Sequence, residues 1–392
     1  MKKTFFKIIS AVTLLCLLSS FGCAPKNFAI ETTAPISKSD VTSLTEEVTT
    51  LPEEDKDEVK FLVFADFHYK KKMYASSIED LDELLLRAKE NDVDFVIHLG
   101  DFCNDYIGSP ELFDAYLNNK YGIPVYGVVG NHELEKKGNS MGVVTSKLTN
   151  QVVTFGEGED IGYWYADVKN FRLIGLDTNY SLGTDGKWTH NLSGSHGAPA
   201  SNTLKESLAL VQRDWLDEVI ADASEKGLKV LVFSHGALAG EWYSAPDASY
   251  VRSIFNKYPG TVMMASNGHL HTDRFKVIDN VAYFDVNACI NAYWKSSTEH
   301  HYSEEHTFSF TNYIAGKVQE TKTMKLMDLS QGKNTWFLED PISAVVTVNT
   351  DGNIDIKGST SSWRYGIKPP TTSEAVKARI SDYTIRLKMN DN

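Results

Sequence analysis

Four apolar, β-branched runs in this chain each stop at a short polar motif. Lys60-Phe-Leu-Val-Phe-Ala65 leads into Asp66-Phe67-His68, and Asp94-Phe-Val-Ile-His-Leu99 leads into Gly100-Asp101 with Asn104. Pro124-Val-Tyr-Gly-Val-Val129 precedes Gly130-Asn131-His132-Glu133, and Lys229-Val-Leu-Val-Phe233 precedes Ser234-His235. A fifth motif, Gly268-His269-Leu270-His271, follows no such run. Buried parallel strands read as continuous apolar runs, and open α/β sheets carry their chemistry just beyond the carboxyl ends of those strands. The pattern therefore predicts an α/β fold whose strand ends gather into one metal site.

The side-chain types fit that reading. Asp66 and His68 are two apart, so just past a strand end both can reach one ion. Asp101 can bridge two ions, because an ionised carboxylate has several acceptor sites. Asn131 offers an amide oxygen, and His235, His269 and His271 offer imidazole nitrogens. Mixed oxygen and nitrogen donors suit Mn, Fe, Co or Zn better than Ca or an all-oxygen Mg site.

Taken in order, Asp-x-His, Gly-Asp-x-x-Asn, Gly-Asn-His-Glu, a lone His and Gly-His-x-His resemble the calcineurin-like metallophosphoesterases over roughly residues 59–290. That resemblance implies a four-layer αββα sandwich and hydrolysis of phosphoric mono- or diesters with two divalent or trivalent metal ions. Carried over by position, Asp66, His68, Asp101 and His271 hold the first metal, and Asp101, Asn131, His235 and His269 the second. His132 contacts the phosphate and protonates the leaving oxygen, and Glu133 orients or tunes it. Asn104 stands where the family often has Asp, a position that does not bind metal. The rival readings are a silent surface-binding lipoprotein of the same fold and a 5′-nucleotidase. Roughly 60 residues after position 330 are too few for a separate nucleotide-binding domain.

The rest of the chain sets the context. Lys2, Lys3 and Lys7 precede an apolar stretch from Ile8 to Leu18, the layout of an exported protein's signal peptide. Cys23 after Gly22 resembles the lipobox of bacterial lipoproteins, which implies a lipid on Cys23 and a membrane anchor; secretion after ordinary cleavage is the alternative. Residues 24–58 carry nine acidic and three basic side chains and little apolar periodicity, as a solvated tether does. The phosphoesterase domain is expected over 59–330 and a C-terminal β-rich extension over 331–392, either added to the same domain or a small module. The net charge of −13 argues against a nucleic-acid-binding face, and the expected partner is a small-molecule phosphoester.

Helices are expected from Ser76, with capping-box spacing to Glu79, from Ser109-Pro110, and from about Leu204 to Lys226 with Leu208, Val211, Trp215, Val219 and Ala223 inward. Residues 179–203 read as a long binding loop. His98 and Cys103 read as core residues, and His300, His301 and His306 as a solvated loop.

Overall fold

The computed structural model describes residues 56–69, 76–104, 109–134, 144–157, 161–182, 188–190, 208–239, 248–295, 301–314, 317–328 and 334–389. The signal peptide, Cys23, nearly all of the tether, most of the 179–203 loop and His300 lie outside the described residues.

The first sheet is built on β1 (Glu58–Phe64), β2 (Phe95–His98) and β3 (Val125–Gly127), which run parallel. On the other side of β1 lie β17 (Ala344–Asn349), β18 (Asn353–Gly358) and β19 (Tyr383–Arg386), all antiparallel, giving the order β19-β18-β17-β1-β2-β3. The C-terminal segment thus supplies half of this sheet, pairing with β1 from Glu58↔Asn349 to Val63↔Ala344. The Asp351-Gly352 turn between β17 and β18 needs its glycine, because φ there is +99°.

The second sheet uses β4 (Thr154–Phe155), β5 (Trp164–Val168), β6 (Phe171–Gly175), β9 (Lys229–Ser234), β10 (Val262–Asn267), β11 (Arg274–Ile278) and β12 (Val281–Asp285). Its order is β11-β12-β10-β9-β6-β5-β4, with β6, β9, β10 and β12 parallel. Three two-stranded ribbons complete the β structure: β7 (Tyr180–Leu182) with β8 (Trp188–His190), β13 (Tyr293–Trp294) with β16 (Thr335–Trp336), and β14 (Thr307–Ile314) with β15 (Lys317–Lys325).

Alternation along the strands sorts side chains into three apolar layers. Phe61 and Val63 pack with Leu231 and Phe233 between the sheets. Leu62 and Phe64 point the other way, onto Leu81, Leu84 and Leu85 of α1 (Ile78–Glu90) and Leu112 and Phe113 of α2 (Pro110–Leu117). Val230 and Val232 pack on Leu216 and Ile220 of α3 (Leu210–Glu225) and Val251 and Ile254 of α4 (Ala248–Phe255). Three separate cores between helices, sheet, sheet and helices make the four-layer αββα sandwich. Strands buried on both faces explain why their sequences run apolar without alternation. Each such Leu or Phe is worth about 1.5–3 kcal/mol relative to exposure.

Two helix expectations need correction. The capping box of α1 sits one residue later, on Ser77 and Asp80: the Ser77 Oγ accepts from the Asp80 N–H at 3.2 Å, and Asp80 Oδ2 accepts from the Ser77 N–H at 2.6 Å. The shorter Asp80 carboxylate also takes the Ser77 hydroxyl, at 2.8 Å. On α3 the inward stripe is Gln212, Leu216, Val219, Ile220 and Ala223, while Val211 is 57% exposed. The polar Gln212 faces inward because its amide pairs with the Asp177 backbone, accepting from N–H at 2.9 Å and donating to C=O at 2.7 Å.

Candidate metal centre

All five motifs stand at carboxyl ends of parallel strands: β1, β2 and β3 from one sheet, β9 and β10 from the other. The fifth gave no apolar run in the sequence because β10 ends in Ser266-Asn267, which are buried although polar. Polypeptide cannot turn several side chains toward one point from regular strand geometry. Asp66, His68, Asp101, His269 and His271 all have φ between +48° and +67°, the left-handed region that non-glycine residues seldom adopt. Five strained backbones at one place mark a site held open for chemistry.

Asp101 is central and 2% exposed. Its Oδ2 lies 3.2 Å from His235 Nε2, 3.9 Å from His68 Nε2 and 3.8 Å from His132 Nε2, while Oδ1 accepts from the His132 backbone N–H at 2.8 Å. His235 Nε2 also lies 3.1 Å from Asn131 Oδ1 and 3.2 Å from His269 Nδ1. On the other side, Asp66 Oδ1 is 3.4 Å from His271 Nε2 and 3.9 Å from His68 Nε2, and those two imidazole nitrogens are 3.2 Å apart. Both Asp66 oxygens accept from the His269 backbone N–H, at 3.2 and 3.0 Å. Three groups have ligand atoms that all lie within 4.8 Å of one another: Asp66, His68 and His271; His68, Asp101 and His132; Asp101, His235 and His269.

Hydrogen bonds behind the site define which atoms face it. His235 Nδ1 is 2.8 Å from the Leu99 carbonyl, which can only accept, so Nδ1 carries the proton and Nε2 a lone pair. Three acceptor atoms then converge, His235 Nε2, Asp101 Oδ2 and Asn131 Oδ1, with His269 Nδ1 beside them. Converging lone pairs repel unless a proton or a cation lies among them, and the donor set suits a divalent ion.

Charge follows the geometry. Burial pushes the Asp101 carboxyl up, but His235 and His132 hold it well below the usual carboxylate range. Burial, then His132, lowers His68 to about 3. Burial and the Asp101 charge raise Glu133 to about 7, against backbone hydrogen bonds from Cys103 and Gly130.

Glu133, expected to orient or tune His132, is buried and meets three backbone N–H groups. Its Oε2 accepts from the backbone N–H of Asp101 at 3.0 Å and of Gly130 at 2.7 Å, and Oε1 from that of Cys103 at 2.9 Å, so it clasps two metal-site loops together. Gly130 permits the approach: a Cβ there would lie 2.2 Å from Asp101 Oδ1. Cys103 and Cys289 are free thiols in the core, and His98 stacks on Phe102 with ring centroids 4.6 Å apart. His301 is partly buried: it stacks on Trp336 at 4.0 Å and bonds the Thr335 carbonyl.

Sequence reasoning passed over Asp177-Thr178-Asn179, buried beyond the end of β6. Thr178 Oγ1 accepts from the Gly236 N–H at 3.0 Å, and Asn179 Nδ2 donates to the Val129 carbonyl at 2.9 Å, so the trio braces the loops of His235 and Asn131. The signal was available: polar residues directly after the expected strand Phe171–Leu176.

The fold and site define a metal-dependent phosphoesterase. Residues 59–273 match the family model for calcineurin-like phosphoesterases, and the chain belongs to that family of hydrolases acting on phosphoester bonds. Among solved structures, a dimetal phosphatase from Danio rerio is similar at 16% identity and TM-score 0.51, over 84% of this chain and 99% of that one. The GAP50 anchor of the inner membrane complex of Plasmodium is similar at 11% identity and TM-score 0.40, over 85% and 90%. No curated protein sequence matches the chain.

Proposed function

We propose that this protein hydrolyses phosphoric mono- or diesters at a centre of two metal ions, and that it is exported and held at a membrane by a lipid on Cys23. Asp66, His68, Asp101 and His271 would hold one ion, and Asp101, Asn131, His235 and His269 the other, with Mn, Fe or Zn suiting these donors. When bound, such a pair supplies charge against the phosphoryl oxygens and makes a water acidic enough to attack. The convergence of Asp101 Oδ2, Asn131 Oδ1 and His269 Nδ1 on His235 Nε2 carries the reading. The chain's own part is to hold these donors in place. Glu133 fixes the Asp101 and Gly130 loops, Leu99 orients His235, and the His132 ring stands beside Asp101. Because the chain carries a net charge of −13, bound metals would supply the positive charge that a small anionic substrate needs.

The test is turnover of phosphomonoesters, diesters and cyclic nucleotides with Mn²⁺ added, beside elemental analysis of wild type and Asp101→Asn. Two ions per wild-type chain, lost with activity in Asp101→Asn, is the expected result. A fully loaded protein that cleaves no phosphoester would return the reading to a silent binding protein. Among the described residues no helix is long and apolar enough to cross a membrane. The anchor rests on the Gly22-Cys23 junction, and Cys23→Ser should release the protein or leave its precursor unprocessed. Absence of diacylglycerol from wild-type Cys23 would refute the anchor.

A further inference from the structure

Asn104 lies in the segment that follows β2 and is 1% exposed, with its backbone N–H on the Tyr69 carbonyl at 3.0 Å. Its side chain lies between two histidines of the site. Oδ1 is 3.0 Å from His68 Nδ1, and Nδ2 is 2.6 Å from His132 Nδ1. A carboxamide accepts only through oxygen and donates only through nitrogen. The amide's orientation is settled by His68, whose Nε2 stands 3.2 Å from His271 Nε2 and 3.9 Å from both Asp66 Oδ1 and Asp101 Oδ2. To ligate there, Nε2 must be bare, so Nδ1 carries the proton and needs the amide oxygen. The amide NH₂ is then left for His132.

We infer that Asn104 is a positioning residue that imposes opposite tautomers on His68 and His132, making the first a ligand and the second a fixed N–H donor. With Nδ1 of His132 accepting from Asn104, its ring proton stands on Nε2, beside Asp101 Oδ2 at 3.8 Å. This rests on the phosphoesterase reading and deepens it. If Nε2 surrendered its proton to a leaving oxygen, Nδ1 would need a replacement proton, and Nδ1 is occupied by the Asn104 N–H. His132 therefore donates a hydrogen bond to a phosphoryl oxygen and leaves the alkoxide's proton to water. The favoured substrates are esters whose leaving group departs without a proton, such as aryl esters and anhydrides. An Asp at position 104 would accept from both rings and turn His132 over to Nδ1–H.

Long-range ¹H–¹⁵N spectra of the histidine-labelled full chain, loaded with diamagnetic Zn²⁺, read the tautomers directly and need no variant; His132→Ala assigns the signals. Protonated Nε2 on His132 with protonated Nδ1 on His68 is expected, and Asn104→Asp should move the His132 proton to Nδ1. Wild-type His132 protonated at Nδ1, or spectra unmoved by Asn104→Asp, would overturn the inference. In turnover, His132→Ala should slow a nitrophenyl ester and an alkyl ester by the same factor, within about threefold. A deficit about 10²–10⁴-fold that falls on the alkyl ester alone would make His132 a general acid and overturn it too. If the tautomers are as expected but no ester turns over, the phosphoesterase reading fails while the role of Asn104 stands.

Discussion

The Glu133 carboxylate accepts the backbone N–H of Asp101 at 3.0 Å, across 32 residues of chain. The same carboxylate takes the Gly130 and Cys103 N–H groups, so one buried side chain ties the loop after β2 to the loop after β3. Glu133→Ala leaves three buried donors without that acceptor, each costing about 1–3 kcal/mol if unsatisfied. Glu133→Gln keeps one accepting oxygen and should lose less. Urea unfolding of both variants, with calorimetric metal titration, checks this. An Ala variant as stable as wild type would mean that the clasp is incidental.

Asp101→Asn should weaken metal binding more than it weakens folding. The amide keeps the acceptor for the His132 N–H but removes the negative charge that faces His235 and His68. Elemental analysis after dialysis is the check, and two ions retained would show that charge at Asp101 is not required.

Asp273 joins the metal loop to the C-terminal segment. Its side chain is fully buried and accepts from Lys377 Nζ at 3.1 Å, the Ser381 N–H at 3.2 Å, the Ser381 hydroxyl at 2.5 Å and the Tyr383 hydroxyl at 3.3 Å. It lies two residues after His271. Removing one partner of a buried pair costs about 3–5 kcal/mol, and Asp273→Ala should approach the low end because Lys377 is 26% exposed. Metal affinity should fall with it. Unchanged unfolding and unchanged affinity would show that the C-terminal segment does not support the site.

His98 should make the metal-free protein sensitive to acid. Burial, then the nearby His235, depresses its pKa from 6.5 to about 3. The unfolded chain therefore binds a proton near pH 6.5 that the folded chain refuses until about pH 3. Stability is full above 6.5 and falls as pH drops through that window, by about 1.4 kcal/mol per pH unit for one proton. His98→Phe keeps the stack on Phe102 and removes the titration. Chelator-treated wild type should lose stability between pH 6.5 and 4.5 faster than the variant; parallel curves would dismiss His98 as the cause.

Much of this was legible in the chain. The strands before Asp66, Gly100, Gly130 and His235 were visible because burial on both faces demands unbroken apolar runs. Two kinds of feature hid. Where buried polar groups replace apolar ones, as in Ser266-Asn267, Gln212 and Asp177-Thr178-Asn179, the pattern reads as loop or solvent face. Their partners are backbone groups elsewhere in the chain, such as Asp177 for Gln212 and Val129 for Asn179, and sequence spacing does not encode those.

By itself the sequence determined the layered α/β architecture, the family and the residue types that face the site, because apolar periodicity and short motifs are local. Only the tertiary structure decided what those residues do to each other. It put β17, β18 and β19 into the first sheet beside β1, turned five candidate ligands into left-handed backbone, and set Asn104 between His68 and His132. Those outcomes depend on which strand ends meet, and that is settled when two sheets pack face to face and bring together loops far apart in the chain.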